Sequence, residues 1–258
     1  MIVKDFNLQH TIECGQFFRY KKENDFYYIQ TKDKIIKIKQ KNNQLISNES
    51  DEFLINFFNL NQNYQEILTI LNKHNDIREL TKQFYGLRII NQDPWECMIS
   101  YISSSARSIP LIKQSIDLMS KQFGEEIIFD KSTFYTFPKI NSLNDLDKLK
   151  QCKLGFRVDY IIRVNSLVNN EYFKNLKELD YEKAKQELMK LPGIGPKVAD
   201  CICLFSLKKF EAFPIDTWIK KYLKQTNLDY KQFYPYQGYA QEFIYYLMIA
   251  SKFLYATV

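Results

Sequence analysis

Histidine is nearly missing. His10 and His74 are the only two in 258 residues, so imidazole catalysis and histidine-based metal ligation are both poorly supplied. Cysteine is sparse too. Cys14, Cys97, Cys152, Cys201 and Cys203 form an odd, scattered set that predicts reduced thiols in a cytosolic setting. No Cys/His cluster has the spacing of a zinc or iron–sulfur site. Long apolar runs are also lacking. The opening MIVKDFNLQH lacks the apolar run of a signal peptide, and the apolar stretch Phe243–Ser251 meets Lys252 too soon to span a bilayer. These absences predict a soluble cytoplasmic protein with no membrane partner, held near the nucleoid if the source is bacterial. With 7 Gly and 7 Pro in the chain, each marks a place where the backbone needs it.

What is present is an ordinary globular composition, 45% hydrophobic and 26% charged, with a net charge of +6. That mild basic excess is compatible with nucleic acid without requiring it. From about Thr11 to Ser47 the pattern is strand-like, with DFYYIQT and KIIKIKQ separated by the turn candidates KKEN, KDK and KNNQ. Beyond Asp51 the period becomes helical: DEFLINFFNL, YQEILTILNKH, and DIRELTKQFYG with Gly86 as its stop. Asp93-Pro94 offers an N-cap with proline at the first helical position. Ile109, Ile112, Ile116, Met119 and Phe123 then share one helical face before Gly124. Further helices are predicted near Arg157–Val168, Tyr181–Lys190, Lys197–Leu207, Asp216–Lys224 and Gly238–Phe253. The fold class is α+β: a small antiparallel sheet domain with short helices over 1–90 and a helical body over 91–258.

The most specific segment is Leu191-Pro192-Gly193-Ile194-Gly195, set between two helical patterns. Two glycines in three residues permit a tight turn whose amides face outward, and the helix beginning near Pro196 adds free amides and a dipole. The segment, spanning 181–207 with its helices, reads either as a plain helix–helix turn or as a helix-hairpin-helix that grips a DNA backbone without reading sequence. Lys197 lies in the first turn of that helix, where an acidic residue is electrostatically preferred. It reads either as a solvated or phosphate-bound cation, or as an amine held neutral for nucleophilic attack. Asp216, in FPID before TWIKKYL, is a natural N-cap. A carboxylate fixed that way is also placed to stabilise positive charge growing on a sugar.

LPGIGPKVADCICL followed by FPID resembles the helix-hairpin-helix DNA glycosylase superfamily and, within it, the 8-oxoguanine DNA glycosylase family. CGQFFRY, DPWECMISYISSS, LGFRVDYI and GYAQEFIYY extend the resemblance over nearly the whole chain. It implies that Lys197 is the nucleophile and Asp216 the second catalytic residue. It also implies that a flipped lesion is sandwiched between Cys201 and Tyr245, with Phe205 in the wall and Gln241 at its Watson–Crick edge. Core packing on a helix is the competing reading for these four residues. Gly15 matches the glycine whose carbonyl accepts from N7–H of 8-oxoguanine, where guanine presents an acceptor. The competing reading is a loop glycine before a strand. Gly193 and Gly195 would hold the backbone, and Phe156 would fill the vacated stack.

The departures carry their own expectation. Where relatives read the orphaned cytosine with Asn and two Arg, this chain has Ala106, Leu111 and Arg157, and a phosphate-holding histidine is replaced by Trp218. The expected activity is therefore a glycosylase and abasic-site lyase acting as a monomer on double-stranded DNA containing oxidised guanine, with weak discrimination of the opposite base. No cofactor or metal is called for; a loosely bound monovalent cation at the hairpin is a further implication of the resemblance alone. The competing readings are a glycosylase for other oxidised or alkylated bases, whose alkylpurine members lack the hairpin lysine, and a non-catalytic DNA-binding module.

Overall fold

The computed structural model describes residues 1–255, with side chains through residue 250. In chain order the elements are α1 (Leu8–Glu13), β1 (Tyr20–Glu23), β2 (Phe26–Thr31), β3 (Lys34–Lys41), β4 (Gln44–Ser47), α2 (Asp51–Phe57), α3 (Tyr64–Leu71) and α4 (Asn75–Gln83). There follow α5 (Pro94–Ser104), α6 (Ile109–Phe123), β5 (Glu126–Phe129), β6 (Ser132–Tyr135), α7 (Leu146–Gln151), α8 (Arg157–Leu167) and α9 (Asn170–Glu178). The chain ends with α10 (Tyr181–Met189), α11 (Pro196–Ser206), α12 (Thr217–Thr226), a 3-10 turn at Tyr230–Phe233 and α13 (Gln237–Tyr255). The class is α+β, as expected, and no described helix is long and apolar enough to cross a membrane.

The four strands form a meander in the order β1-β2-β3-β4, with Tyr20 opposite Ile29 and Ile29 opposite Ile36. Asn24, Lys32 and Asn42 open the connecting turns at φ near +50°, and each lies in a turn candidate read from the sequence. Thr11–Glu13, expected to be strand-like, is helical instead: the Asn7 side chain accepts from the His10 amide and Thr11 Oγ1 donates to the Asn7 carbonyl. That cap and back-bond outweigh the β preference of Thr11 and Ile12. Gly86 does not stop α4 directly, because that helix ends at Gln83. The hairpin β5–β6 and the short helices α7 and α9 were not foreseen. β5 and β6 turn through Asp130-Lys131, both in the left-handed region, a conformation that Asn-Gly would have signalled but Asp-Lys does not.

The chain packs as two compact units and crosses between them four times. The first comprises residues 1–17, 39–91 and 203 onward; the second comprises 18–38 and 92–202. The boundary read at 90/91 adjoins one crossing, and another falls inside α11. In the first unit α13 packs against α4 and α12, around the fully buried Tyr239, Phe233 and Phe243. In the second, α5 packs against α6 and α8, burying Ile112, Ile116 and Met119 of the predicted α6 face while Ile109 and Phe123 are only half-buried. The β5–β6 hairpin there covers Tyr28 and Ile35 with Phe134, whose ring stacks on Tyr28 at 5.9 Å. All five cysteines are free and buried.

One ion pair is locked inside the second unit. Arg19 Nη1 donates to Glu96 Oε1 at 3.1 Å, both residues being at most 5% exposed, and the Lys32 amide donates to Glu96 Oε2 at 2.8 Å. Burial outweighs the Arg19 charge and lifts the Glu96 carboxyl above its ordinary range. The folded chain therefore holds this proton more tightly than the unfolded chain. The resulting stabilisation is full below the ordinary carboxylate range and is lost as pH rises through the lifted value. Arg19→Met should cost about 3–5 kcal/mol in urea unfolding at neutral pH by orphaning the carboxylate. The double change Arg19→Met, Glu96→Gln should recover most of that loss and remove this pH dependence. A single variant as stable as the parent would show that the pair contributes nothing.

Candidate active site

In the second unit α10 and α11 are joined by a turn that is open on one side. Ile194 is buried and its amide donates to the Leu191 carbonyl at 3.3 Å, while the Gly195 carbonyl accepts from the Ala199 amide at 2.9 Å and starts α11. Gly195 is exposed, with no atom within 4 Å of where a side chain would begin. A polyanion can therefore approach this backbone closely, at the positive end of a helix. Asp200 clamps the two helices together: Tyr181 Oη donates to its Oδ1 at 2.7 Å and Lys185 Nζ at 2.8 Å. Burial raises the Asp200 carboxyl above its ordinary value, against the opposing pull of Lys185 and Tyr181.

Lys197 occupies the second position of α11, half-buried, with Nζ 5.1 Å from the centroid of the Tyr101 ring. Tyr101 is itself buried and meets Phe18 edge-on at 5.6 Å. Among the described residues Lys197 has no carboxylate partner. Cys201 and Phe205 follow at four-residue intervals on α11, both buried, so the three side chains share one helical face.

The first unit carries the remaining lesion and sugar candidates. Asp216 caps α12, its Oδ1 accepting from the amides of Trp218 at 3.0 Å and Ile219 at 2.8 Å. Both cap bonds use one oxygen, and Asp216 stays partly exposed. Gly15 lies at φ +97°, and a methyl group there would meet Tyr245 Cε1 at 2.8 Å. The structure thus brings Gly15 and Tyr245 into contact. Gln16 fixes the turn: its Nε2 donates to the carbonyls of Thr11 at 2.9 Å and Arg88 at 2.8 Å, and its Oε1 accepts from the Ile90 amide at 2.7 Å. Beside it, burial and neighbouring Glu242 push the Cys14 thiol far up, so it stays protonated. Gln241, one turn before Tyr245 on α13, is 4% exposed, and its Oε1 has no hydrogen-bond partner among the described residues. An orphaned carbonyl of this kind costs about 1–3 kcal/mol, a cost a bound hydrogen-bond donor would remove.

The expected readers of an opposing strand lie in the second unit. Phe156 caps α8 and is 63% exposed; the Arg157 guanidinium sits 4.2 Å from its centroid. Arg157 is buried, its Nη1 donating to the Leu154 carbonyl at 3.1 Å and its Nη2 to the Ser105 carbonyl. Ala106 is exposed at φ +53°, and Leu111 is 47% exposed on α6. Arg107 Nη1 is engaged with Ser115 Oγ at 2.8 Å. Nothing local to Lys197 or to the hairpin points to Tyr101, 96 positions from Lys197, or to Tyr160 beneath Gly193. Only three-dimensional packing brings them in. No cluster of three potential His, Cys, Asp or Glu metal ligands occurs among the described residues.

Known proteins resemble this arrangement. The profile of the 8-oxoguanine DNA glycosylase N-terminal domain matches residues 1–98, and that of the helix-hairpin-helix motif matches 180–205. The structure of MBOgg1 in complex with a low-affinity DNA ligand superimposes with a TM-score of 0.90 at 30% identity, over 97% of this chain and 94% of that one. The Clostridium acetobutylicum 8-oxoguanine glycosylase/lyase, in complex with double-stranded DNA containing cytosine opposite 8-oxoguanine, gives 0.87 at 28% identity over 98% of each chain. The Arabidopsis thaliana N-glycosylase/DNA lyase OGG1 is 30% identical over 235 residues, 83% of this chain and 64% of that protein. The chain spans 53% and 64% of the length of the first two curated relatives it matches.

The Gly15–Tyr245 contact generates a test. Gly15→Ala should cost about 1–3 kcal/mol, since a left-handed residue and an overpacked ring both oppose the new methyl. Urea unfolding measures it; an unchanged midpoint would mean that neither the backbone at residue 15 nor the Tyr245 ring resists the methyl.

Proposed function

The chain belongs to the 8-oxoguanine DNA glycosylase family of the helix-hairpin-helix superfamily, and from that membership we propose that it excises 8-oxoguanine from duplex DNA and then nicks the strand. The observation that carries the reading is Lys197: an amine without a carboxylate partner among the described residues, at the start of the helix that follows the hairpin, on a face shared with Cys201 and Phe205. In this reading the hairpin backbone at Gly193 and Gly195 takes the phosphates and Phe156 enters the duplex as the lesion leaves it. Flipping costs roughly a few kcal/mol, offset by stacking on Cys201 and Tyr245 and by edge hydrogen bonds. The orphaned Oε1 of Gln241 offers an acceptor for that edge, and the carbonyl of Gly15 offers one for N7–H.

The chemistry needs an amine and a carboxylate. Lys197 Nζ forms a bond to C1′ as the C1′–N9 bond breaks and the base departs with its electron pair, taking up a proton. Asp216, held by its Oδ1 to two amides, has Oδ2 to oppose positive charge on the sugar. Loss of a proton from nitrogen and opening of the C1′–O4′ bond give a Schiff base. Removal of a C2′ proton then expels the 3′ phosphate, and water releases the lysine. We take the chain to act as a monomer. Trp218, where a histidine stands in relatives, offers an indole in place of a charge.

Lys197→Gln should abolish both base release and borohydride trapping on 8-oxoguanine duplexes while leaving DNA binding and folding intact. Asp216→Asn should slow excision strongly but shift stability by only about a few tenths of a kcal/mol, because asparagine caps as well. Trapping by Lys197→Gln would defeat the mechanism. A collapse of stability in Asp216→Asn with unchanged activity per folded molecule would leave Asp216 a cap alone.

Opposite-base reading should be weak. Ala106 and Leu111 present no hydrogen-bonding side chain, and Arg157 Nη1 and Nη2 each donate to a backbone carbonyl. Excision rates with cytosine, adenine, guanine or thymine opposite the lesion should agree within about tenfold, or ~1.4 kcal/mol. The left-handed backbone at residue 106 tolerates asparagine, so Ala106→Asn should raise the preference for cytosine. A parent preference for cytosine of roughly a hundredfold would overturn the idea.

A further inference from the structure

We infer that Tyr160 is a positioning residue that ties the Phe156 ring to the hairpin, so that seating the hairpin on a DNA backbone and inserting Phe156 into the duplex occur as one step. The inference rests on the DNA reading above, and deepens it.

Phe156 is an exposed aromatic ring with two side-chain neighbours. One is the Arg157 guanidinium, 4.2 Å from the ring centroid and anchored to the carbonyls of Leu154 and Ser105. The second is Tyr160, one helical turn along α8, whose ring meets Phe156 edge-on at 6.0 Å and 84°. Such an edge contact is the favoured geometry for two aromatic rings. Phe156 is thus presented to solvent in a set direction, and a ring already fixed loses little conformational entropy on insertion.

Tyr160 also lies against the hairpin. A methyl group on Gly193 would fall 2.7 Å from Tyr160 Cγ and Cδ2 and 2.8 Å from its Cβ, inside any tolerable contact. Gly193 also has φ +79°. Glycine is therefore required there twice, once for the turn and once so that the backbone can lie on the ring. No other described glycine in the second unit has an aromatic ring this close. Tyr160 therefore touches both the residue that would enter the base stack and the loop that would hold the phosphates, 37 positions apart in the chain. A displacement of the hairpin is passed to the wedge through one rigid ring.

The test uses the full chain and duplex DNA with 2-aminopurine beside 8-oxoguanine, read by stopped-flow fluorescence and by single-turnover excision. Tyr160→Leu and Tyr160→Ala should each slow the fluorescence step about tenfold, the effect of losing one oriented ring contact. Tyr160→Phe, which keeps the ring, should restore it to within about twofold. Because Tyr160 acts through Phe156, the double change Phe156→Ala, Tyr160→Leu should be no slower than Phe156→Ala alone. Urea unfolding of each variant accounts for any fraction misfolded, and Tyr160→Leu keeps most of the volume should Tyr160→Ala fail to fold. Multiplying losses in the double variant would overturn the inference, as would a Tyr160→Phe as slow as Tyr160→Leu, which would point to the hydroxyl instead. If the parent excises 8-oxoguanine and the Tyr160→Leu step is normal, only the coupling fails. If the parent neither binds nor cuts lesion duplexes, the functional reading fails and the coupling with it.

Discussion

Asp200 is withdrawn from water on α11 and compensated by two groups on α10, the Tyr181 hydroxyl and the Lys185 ammonium. A carboxylate in that position cannot drift, because leaving either partner would strand it in an apolar setting. The hairpin runs between those two helices, so its shape follows from the clamp. The position of Lys197 follows as well, three residues before Asp200 on the same helix, as does the surface that Gly193 offers to Tyr160. The chain spends a buried charge where a leucine pair would pack more simply. In return the two helices hold one register at the point where a fraction of an ångström bears on the proposed nucleophile.

Local chemistry made much of this readable in the sequence. Asp216 caps α12 through its own side chain, Asp93 caps α5 by bonding the Glu96 amide at 3.0 Å, and Pro94 stands at the first helical turn. Each of these depends on residues within four positions, and LPGIG likewise declares its turn without help from elsewhere. What escaped was decided by distant partners, by unusual turn residues or by a cap lying just outside the misread stretch. Thr11–Glu13 is drawn into α1 by a cap that its strand-like composition hides. Asp130-Lys131 adopts a turn that composition does not advertise, so β5 and β6 went unseen. Tyr101 beside Lys197, and Tyr160 under Gly193, answer to no spacing rule at all.

The candidate residues fall into two physical kinds. Gly15 and Asp216 are held by short hydrogen bonds or tight packing, their own or their neighbours', and their geometry is set before any ligand arrives. Gln241 is different, since its buried Oε1 is left without a partner among the described residues and its environment is complete only when something donates to it. Fixed groups confer rate and orientation, whereas an unsatisfied one confers selectivity, because only a ligand with a donor in the right place removes its cost.

The burial of all five thiols has a practical side. A thiol-modifying reagent meets these sulfurs only when the fold opens, so the rate of native-state labelling at each position measures a local opening equilibrium. Cys201 and Cys203 lie two residues apart on one helix yet belong to different compact units, the crossing falling between them. Mass spectrometry of those two adducts, followed over time in native buffer, would thus tell whether α11 melts as one piece or frays separately from each end, with no probe added to the protein.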